Sequence, residues 1–126
     1  AISFEDTQPA YTEHLLNYVD IKALRKLKTV CNAGNGGAET TIAAIERFLQ
    51  FQFSKVHHEA DGTFPNGVPN TLLNATRAPT IDAIRADGAD LGIAWDGDFD
   101  RCFFFAENGR FIEGYYIVGL LAQSFL

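Results

Sequence analysis

Two apolar runs late in the chain, Leu91-Gly-Ile-Ala-Trp95 and Cys102-Phe-Phe-Phe-Ala106, are separated by only the six residues Asp96–Arg101. Both runs are short, rich in aliphatic and aromatic residues, and bounded by polar residues, which reads as strand. A parallel crossover needs about a dozen residues or more, so this pair must form an antiparallel hairpin. Upstream the pattern differs. Thr29-Val-Cys-Asn32 and Phe53-Ser-Lys-Val-His57 read as strands separated by a helix over about 38–50, where Ile42, Ile45, Phe48 and Leu49 recur at helical spacing. A further helix over about 78–87, apolar at Ile81 and Ile84 and closed by Gly88, leads into the 91–95 strand. Alternating strands and helices predict parallel strands with right-handed crossovers. The expected fold is therefore α/β: a three-layer α/β/α sandwich around a mixed four-stranded sheet, with 102–106 as its one antiparallel edge strand.

The flanking segments add detail. Residues 9–18 predict a helix with Pro9 in its first turn and Tyr11, Leu15 and Tyr18 on one face, and residues 21–27 predict a further helical turn or two. Asp61-Gly-Thr-Phe-Pro-Asn-Gly-Val-Pro-Asn-Thr71 is turn-rich and reads as a surface loop. Glu107-Asn-Gly109 is a hairpin turn signal, after which Phe111-Ile-Glu leads to a last helix from about Gly114. Trp95 and Phe103–Phe105 read as core.

The chain has 126 residues, 47% hydrophobic and 21% charged, which predicts one domain over 1–126 and excludes disorder. No apolar run approaches the length of a membrane span, so no membrane partner is expected. Sixteen acids against ten bases give a net charge of −6, and the bases gather only at Lys22, Arg25, Lys26 and Lys28. Such a surface repels phosphate backbones, so nucleic acid is not an expected partner. Cys31 and Cys102 lie in strand-like runs without a Cys-x-x-Cys pair, and read as free thiols packed as small hydrophobes. Free thiols and the lack of a signal-like start point to the cytoplasm. Leu120-Leu-Ala-Gln-Ser-Phe-Leu126 stops inside an apolar helical pattern without a cap, so a piece of a longer protein is expected.

The hairpin connection carries the chemistry. Asp96-Gly-Asp-Phe-Asp-Arg101 sets three carboxylates at alternate positions directly after a buried strand. In extended backbone such residues share a side, about 6.6 Å apart, and a curved loop brings them closer. At about 5 Å each pair repels by roughly 3 kcal/mol at an effective dielectric near 20. A divalent cation relieves that repulsion, and all-oxygen ligation with room for other ligands suits Mg²⁺. Asp96, Asp98 and Asp100 are the candidate metal ligands. Arg101 is the candidate catalytic cation, placed to meet an anionic oxygen. A solvated acidic turn is the plainer alternative. An EF-hand is excluded because Arg101 stands where that loop needs glycine. A haloacid-dehalogenase-like phosphatase, with Asp96 as nucleophile, is the enzymatic alternative, although there the motif opens the domain.

Asn32-Ala-Gly-Asn-Gly-Gly-Ala38 lies between a strand and a helix. It is neither a Walker A loop nor a complete Gly-x-Gly-x-x-Gly, and reads equally as a phosphate-holding turn or as a close-packed one. His57 and His58 lack partners at zinc spacing, and one is expected to face the core and the other solvent.

Taken together, Asn32-Ala-Gly-Asn-Gly-Gly37, Asp61-Gly-Thr-Phe-Pro-Asn66 with Pro69-Asn70, and above all Asp96-Gly-Asp-Phe-Asp-Arg101 resemble the second domain of the α-D-phosphohexomutases, the phosphomannomutase/phosphoglucomutase family. The resemblance runs from about Tyr11 onward. It departs at Phe99, where many members have Gly, and at Thr71, where Pro is frequent. It implies a four-domain enzyme in which a phosphoserine, Mg²⁺, a sugar-reading loop and a phosphate-gripping loop come from different domains. This segment would supply the Mg²⁺ ligands Asp96, Asp98 and Asp100, with Arg101 orienting a phosphate. The implied reaction interconverts hexose 6-phosphate and hexose 1-phosphate, with the hexose phosphate as partner, and the isolated segment is expected to be inactive. A non-catalytic cation-binding module is the alternative from a different class.

Overall fold

A computed structural model describes residues 2–126. The elements in chain order are α1 (Gln8–Leu16), β1 (Lys28–Asn32), α2 (Ala38–Glu46), β2 (Gln52–Val56), α3 (Ala78–Asp87), β3 (Leu91–Trp95), β4 (Cys102–Ala106), β5 (Phe111–Ile112) and α4 (Gly114–Phe125). The sheet has the order β2-β1-β3-β4-β5. β1 pairs parallel with β2 and with β3, and β3–β4 and β4–β5 are antiparallel.

The sandwich is as expected, because the strands alternate their side chains between two covered faces. One face carries Val30, Ala94 and Phe105 against Ile84 of α3 and Ala89, with Val56, Ile81 and Phe111 packed around them. The other carries Cys31 and Ala33 against Ala38 and Ile42 of α2, with Phe53, Trp95 and Phe99 alongside. Buried Asn32 secures the end of β1, giving its amide to Thr80 Oγ1 at 2.9 Å and taking the Gly34 N–H at 2.9 Å. Gly88 ends α3 at φ +59, the left-handed cap predicted for it.

The sheet has five strands rather than four, and β4 is not its edge. The Glu107–Gly109 turn folds Phe111 and Ile112 back along Phe105 and Phe104. Phe111 is fixed edge-on to Phe105 at 5.5 Å between ring centres, with the Arg77 guanidinium 3.6 Å from its own centre. Two paired residues are too few to leave a periodic signal. A strand that short also blunts an otherwise exposed edge.

Other expectations need correction. Helix α1 ends at Leu16, short of Tyr18; Tyr11 and Tyr18 are exposed, and Thr12 is the residue that α1 buries. Helix α1 lies on α2 rather than on the sheet, so a narrow contact suffices. Residues 21–27 form one 3₁₀ turn, Ile21–Ala23, and α2 stops at Glu46. Cys102 is exposed, whereas Cys31 is buried, and both thiols are free. The strand β3 lies between them. Burial drives the Cys31 thiol up to about 12, against the pull of nearby Lys55, which leaves it inert. Both His57 and His58 are half-buried, rather than one in and one out. Helix α4 is apolar yet exposed along Tyr115, Tyr116, Val118, Leu120 and Leu121. No helix among the described residues is long and apolar enough to cross a membrane.

Gly92 provides a test of how tightly α3 seats on the sheet. A Cβ there would collide with Ile84 Cδ1 and lie 3.2 Å from Phe105 Cβ. Gly92→Ala should therefore cost about 1–3 kcal/mol by overpacking, read by urea denaturation. A loss under about 0.5 kcal/mol would show that Ile84 simply rotates aside.

Candidate metal centre

The parallel strands β1 and β3 end side by side, and their chains then leave in opposite directions, β1 through α2 to β2 and β3 through the hairpin to β4. This is a topological switch point, where open α/β sheets hold ligands at the carboxyl ends of their strands. The segments 33–37 and 96–101 both emerge there.

The 96–101 loop closes on itself. The Asp96 N–H donates to the Arg101 carbonyl at 3.3 Å, and the Phe99 N–H donates to the Asp96 carbonyl at 3.3 Å. Phe99 sits at φ +67, a left-handed conformation that favours glycine. Its ring, 6.1 Å from that of Trp95 between centres, packs on the α2 side of the core and holds the residue in place.

Asp96 is 1% exposed. Its Oδ1 accepts the Arg101 N–H at 3.0 Å, and its Oδ2 accepts Nε and Nη2 of Arg101 at 2.7 and 2.6 Å. Arg101 Nε also reaches Asp100 Oδ1 at 3.2 Å. Burial pushes the Asp96 carboxyl up. The Arg101 amide and the Arg101 guanidinium outweigh burial and hold it below the ordinary carboxylate value. Because the folded value is depressed, the ionised carboxylate stabilises the loop above the unfolded value. That contribution is lost as pH falls through the folded one. Carbonyl ¹³C shifts should show Asp96 titrating below a free aspartate, with the Phe99 amide signal unchanged until pH falls through that depressed titration and lost as it does. Titration of Asp96 at or above the free value would contradict this geometry.

The structure brings the predicted ligands together. Asp96, Asp98 and Asp100 each offer an oxygen, and these lie within 4.8 Å of one another. Asp96, Asp98 and Asp100 would together be the oxygen donors to such an ion, with room left for other ligands. Asp96 Oδ1 accepts one hydrogen bond and keeps a lone pair. Three carboxylates against one guanidinium leave a surplus of two negative charges, which a divalent cation cancels. The donor set fits a hard cation.

The structure also decides how the turn after β1 is used. The N–H groups of Gly34, Asn35, Gly36 and Gly37 go to Asn32 Oδ1, His57 O, Ala33 O and Gly97 O, at 2.7–3.1 Å. Every one is spent inside the protein, so this is a close-packed turn and not an anion cradle. Beside it, Asp61 Oδ1 accepts the Thr63 N–H and Oγ1 at 2.9 and 2.7 Å and opens the loop that carries Phe64, Asn66 and Pro69. The sequence did not place the Gly36-Gly37 turn against the aspartate loop. The available signal was a pair of glycines, Gly36-Gly37, where one would suffice for a turn.

Comparison with known proteins agrees with the fold. The family model described as phosphoglucomutase/phosphomannomutase, alpha/beta/alpha domain II, matches residues 9–109. The chain belongs to the phosphoglucomutase/phosphomannomutase family. It is 61% identical over 117 residues to a protein named "Phosphohexose mutases" from Xanthomonas campestris pv. campestris, covering 93% of this chain and 26% of that one. It is 54% identical over 123 residues to the phosphomannomutase of Vibrio cholerae, covering 94% and 27%. A crystal structure of a phosphoglucomutase/phosphomannomutase family protein from Burkholderia thailandensis superposes with a TM-score of 0.80 at 28% identity, covering 94% of this chain and 27% of that one. The chain thus spans about a quarter of the length of these relatives.

Proposed function

We propose that this chain is the Mg²⁺-binding domain of a phosphohexomutase, which interconverts hexose 6-phosphate and hexose 1-phosphate by phosphoryl transfer through a phosphoserine on another domain. The observation that carries this reading is the convergence of three aspartate oxygens within 4.8 Å at the carboxyl edge of the sheet. Asp96, Asp98 and Asp100 would hold the ion. When bound, Mg²⁺ supplies Lewis-acid stabilisation of charge on the transferring phosphoryl group. The remaining work falls to this chain's own groups. Asp96 keeps Arg101 pinned at the rim by a forked ion pair, and more than half of the Arg101 side chain faces solvent. From there the guanidinium can orient and neutralise a phosphate on the serine or on the sugar. The free thiols support a reducing compartment, and we place the protein in the cytoplasm.

The phosphatase alternative fares worse on geometry. A nucleophilic carboxylate needs an open in-line approach, and Asp96 is 1% exposed with both oxygens engaged by Arg101. The test combines two measurements. Mn²⁺ should bind the 126-residue chain, be displaced by Mg²⁺, and perturb Asp96, Asp98 and Asp100 signals. The chain alone should leave a phosphate ester intact, while a longer protein containing it interconverts the hexose phosphates and stops when the metal is chelated. Ester hydrolysis by the chain alone, or mutase turnover indifferent to chelation, would overturn the reading.

A further inference from the structure

The turn after β1 plays no part in the chemistry above, yet it is built against the aspartate loop. The Gly37 N–H donates to the Gly97 carbonyl at 3.1 Å. A Cβ on Gly36 would lie 2.5 Å from the Gly97 oxygen and 2.8 Å from its Cα, so only glycine allows this approach. On the other side, the Phe64 ring stands 3.0 Å from where a Cβ on Gly97 would be. Gly97 is thus held between two backbone glycines and an aromatic ring.

Asn35 ties the two sides together. It is 8% exposed and sits at φ +57. Its N–H donates to the His57 carbonyl at 2.7 Å, and its carbonyl accepts the Asp61 N–H at 2.9 Å. Its side-chain amide donates to the Glu59 carbonyl at 2.8 Å and accepts the Asn66 amide at 2.9 Å. The loop that carries Phe64 is therefore anchored to the residue next to Gly36. Gly97 lies between Asp96 and Asp98, so the orientation of its peptide sets where those two carboxylates stand relative to each other.

We infer that Asn35, Gly36 and Gly37 are positioning residues that clamp the Gly97 peptide and so fix the spacing of Asp96 and Asp98 for metal binding. The metal half of this inference rests on the function proposed above; the clamp does not.

The test uses Gly36→Ala and Asn35→Gly in the 126-residue chain, with Gly62→Ala, whose Cβ would meet nothing within 4 Å, as control. Asn35→Gly tolerates the left-handed backbone and removes the side-chain hydrogen bonds, at the cost of added backbone freedom. Two quantities are read on protein whose circular dichroism matches the parent: hydrogen exchange at the Phe99 and Arg101 amides without metal, and Mn²⁺ affinity with Mg²⁺ competition. Both variants should exchange faster at those amides and bind the ion about tenfold or more weakly, while the control changes neither. Unchanged exchange in the folded variants overturns the clamp, and faster exchange with unaltered affinity overturns its role in spacing the carboxylates for the metal. If the parent chain takes up no ion, the proposed function falls and exchange alone decides the clamp. If Gly36→Ala does not fold, Asn35→Gly decides it.

Discussion

On the function proposed above, replacing Asp98 with asparagine in a longer protein containing this chain should lower mutase turnover by about 100-fold or more, without lowering the melting temperature. Among the described residues Asp98 has an exposed side chain and makes no hydrogen bond to the protein, so its charge contributes nothing to holding the loop. Removing that charge also relieves its repulsion with Asp96 and Asp100, so stability should not fall. What the substitution removes is one of three negative oxygens that converge within 4.8 Å. On the proposed mechanism the charge acts on the group in transfer and not on the bound sugar, so the deficit should lie in kcat. A coupled assay of hexose phosphate interconversion, alongside a thermal melt, measures both quantities. Turnover near the parental level would remove the metal from the reaction. Asp96 is a poorer probe, since its carboxylate also holds Arg101 and both effects would appear together.

Phe105→Ala should destabilise the domain by about 3–5 kcal/mol, the range for emptying a buried aromatic site. Phe105 is fully buried in the middle of the α3-side core, and Phe111 stacks edge-on against it. Truncation leaves a cavity that β5 cannot fill, because only two of its residues are paired to β4. The melting temperature should drop by about 10–20 °C. Since a domain of this size has only about 5–15 kcal/mol in hand, Phe105→Leu is the milder companion and should lose about 1 kcal/mol. Urea denaturation of both variants gives the comparison. A loss below about 1 kcal/mol for the alanine variant would mean that the aromatic cluster is peripheral to stability.

The site was legible to the extent that its chemistry is local. Asp96, Asp98 and Asp100 are close in sequence, and a short hairpin connection keeps them close in space whatever the remaining chain does. Arg101 follows at once, so its pairing with Asp96 is also a local event. By contrast, Gly36 and Gly97 meet only because β1 and β3 are neighbours in the sheet, a pairing that neither segment encodes by itself. The meaning of the glycine turn stayed open for the same reason. An exposed amide and an amide spent on a distant carbonyl look identical in sequence. The exposed face of α1 and the exposed Cys102 show the same limit, since apolar spacing marks a face without saying what covers it.

Sequence alone was sufficient for the first four strands and the helices between them, the antiparallel hairpin, and the convergence of three aspartates. All of these follow from residue periodicity and from how far six residues can reach. Tertiary structure decided that a fifth strand covers β4, that Arg101 grips Asp96 at its buried end, and that a glycine turn closes on the Gly97 peptide. Those outcomes depend on contacts between segments far apart in the chain, where sheet order and side-chain volume choose the partner and local pattern does not.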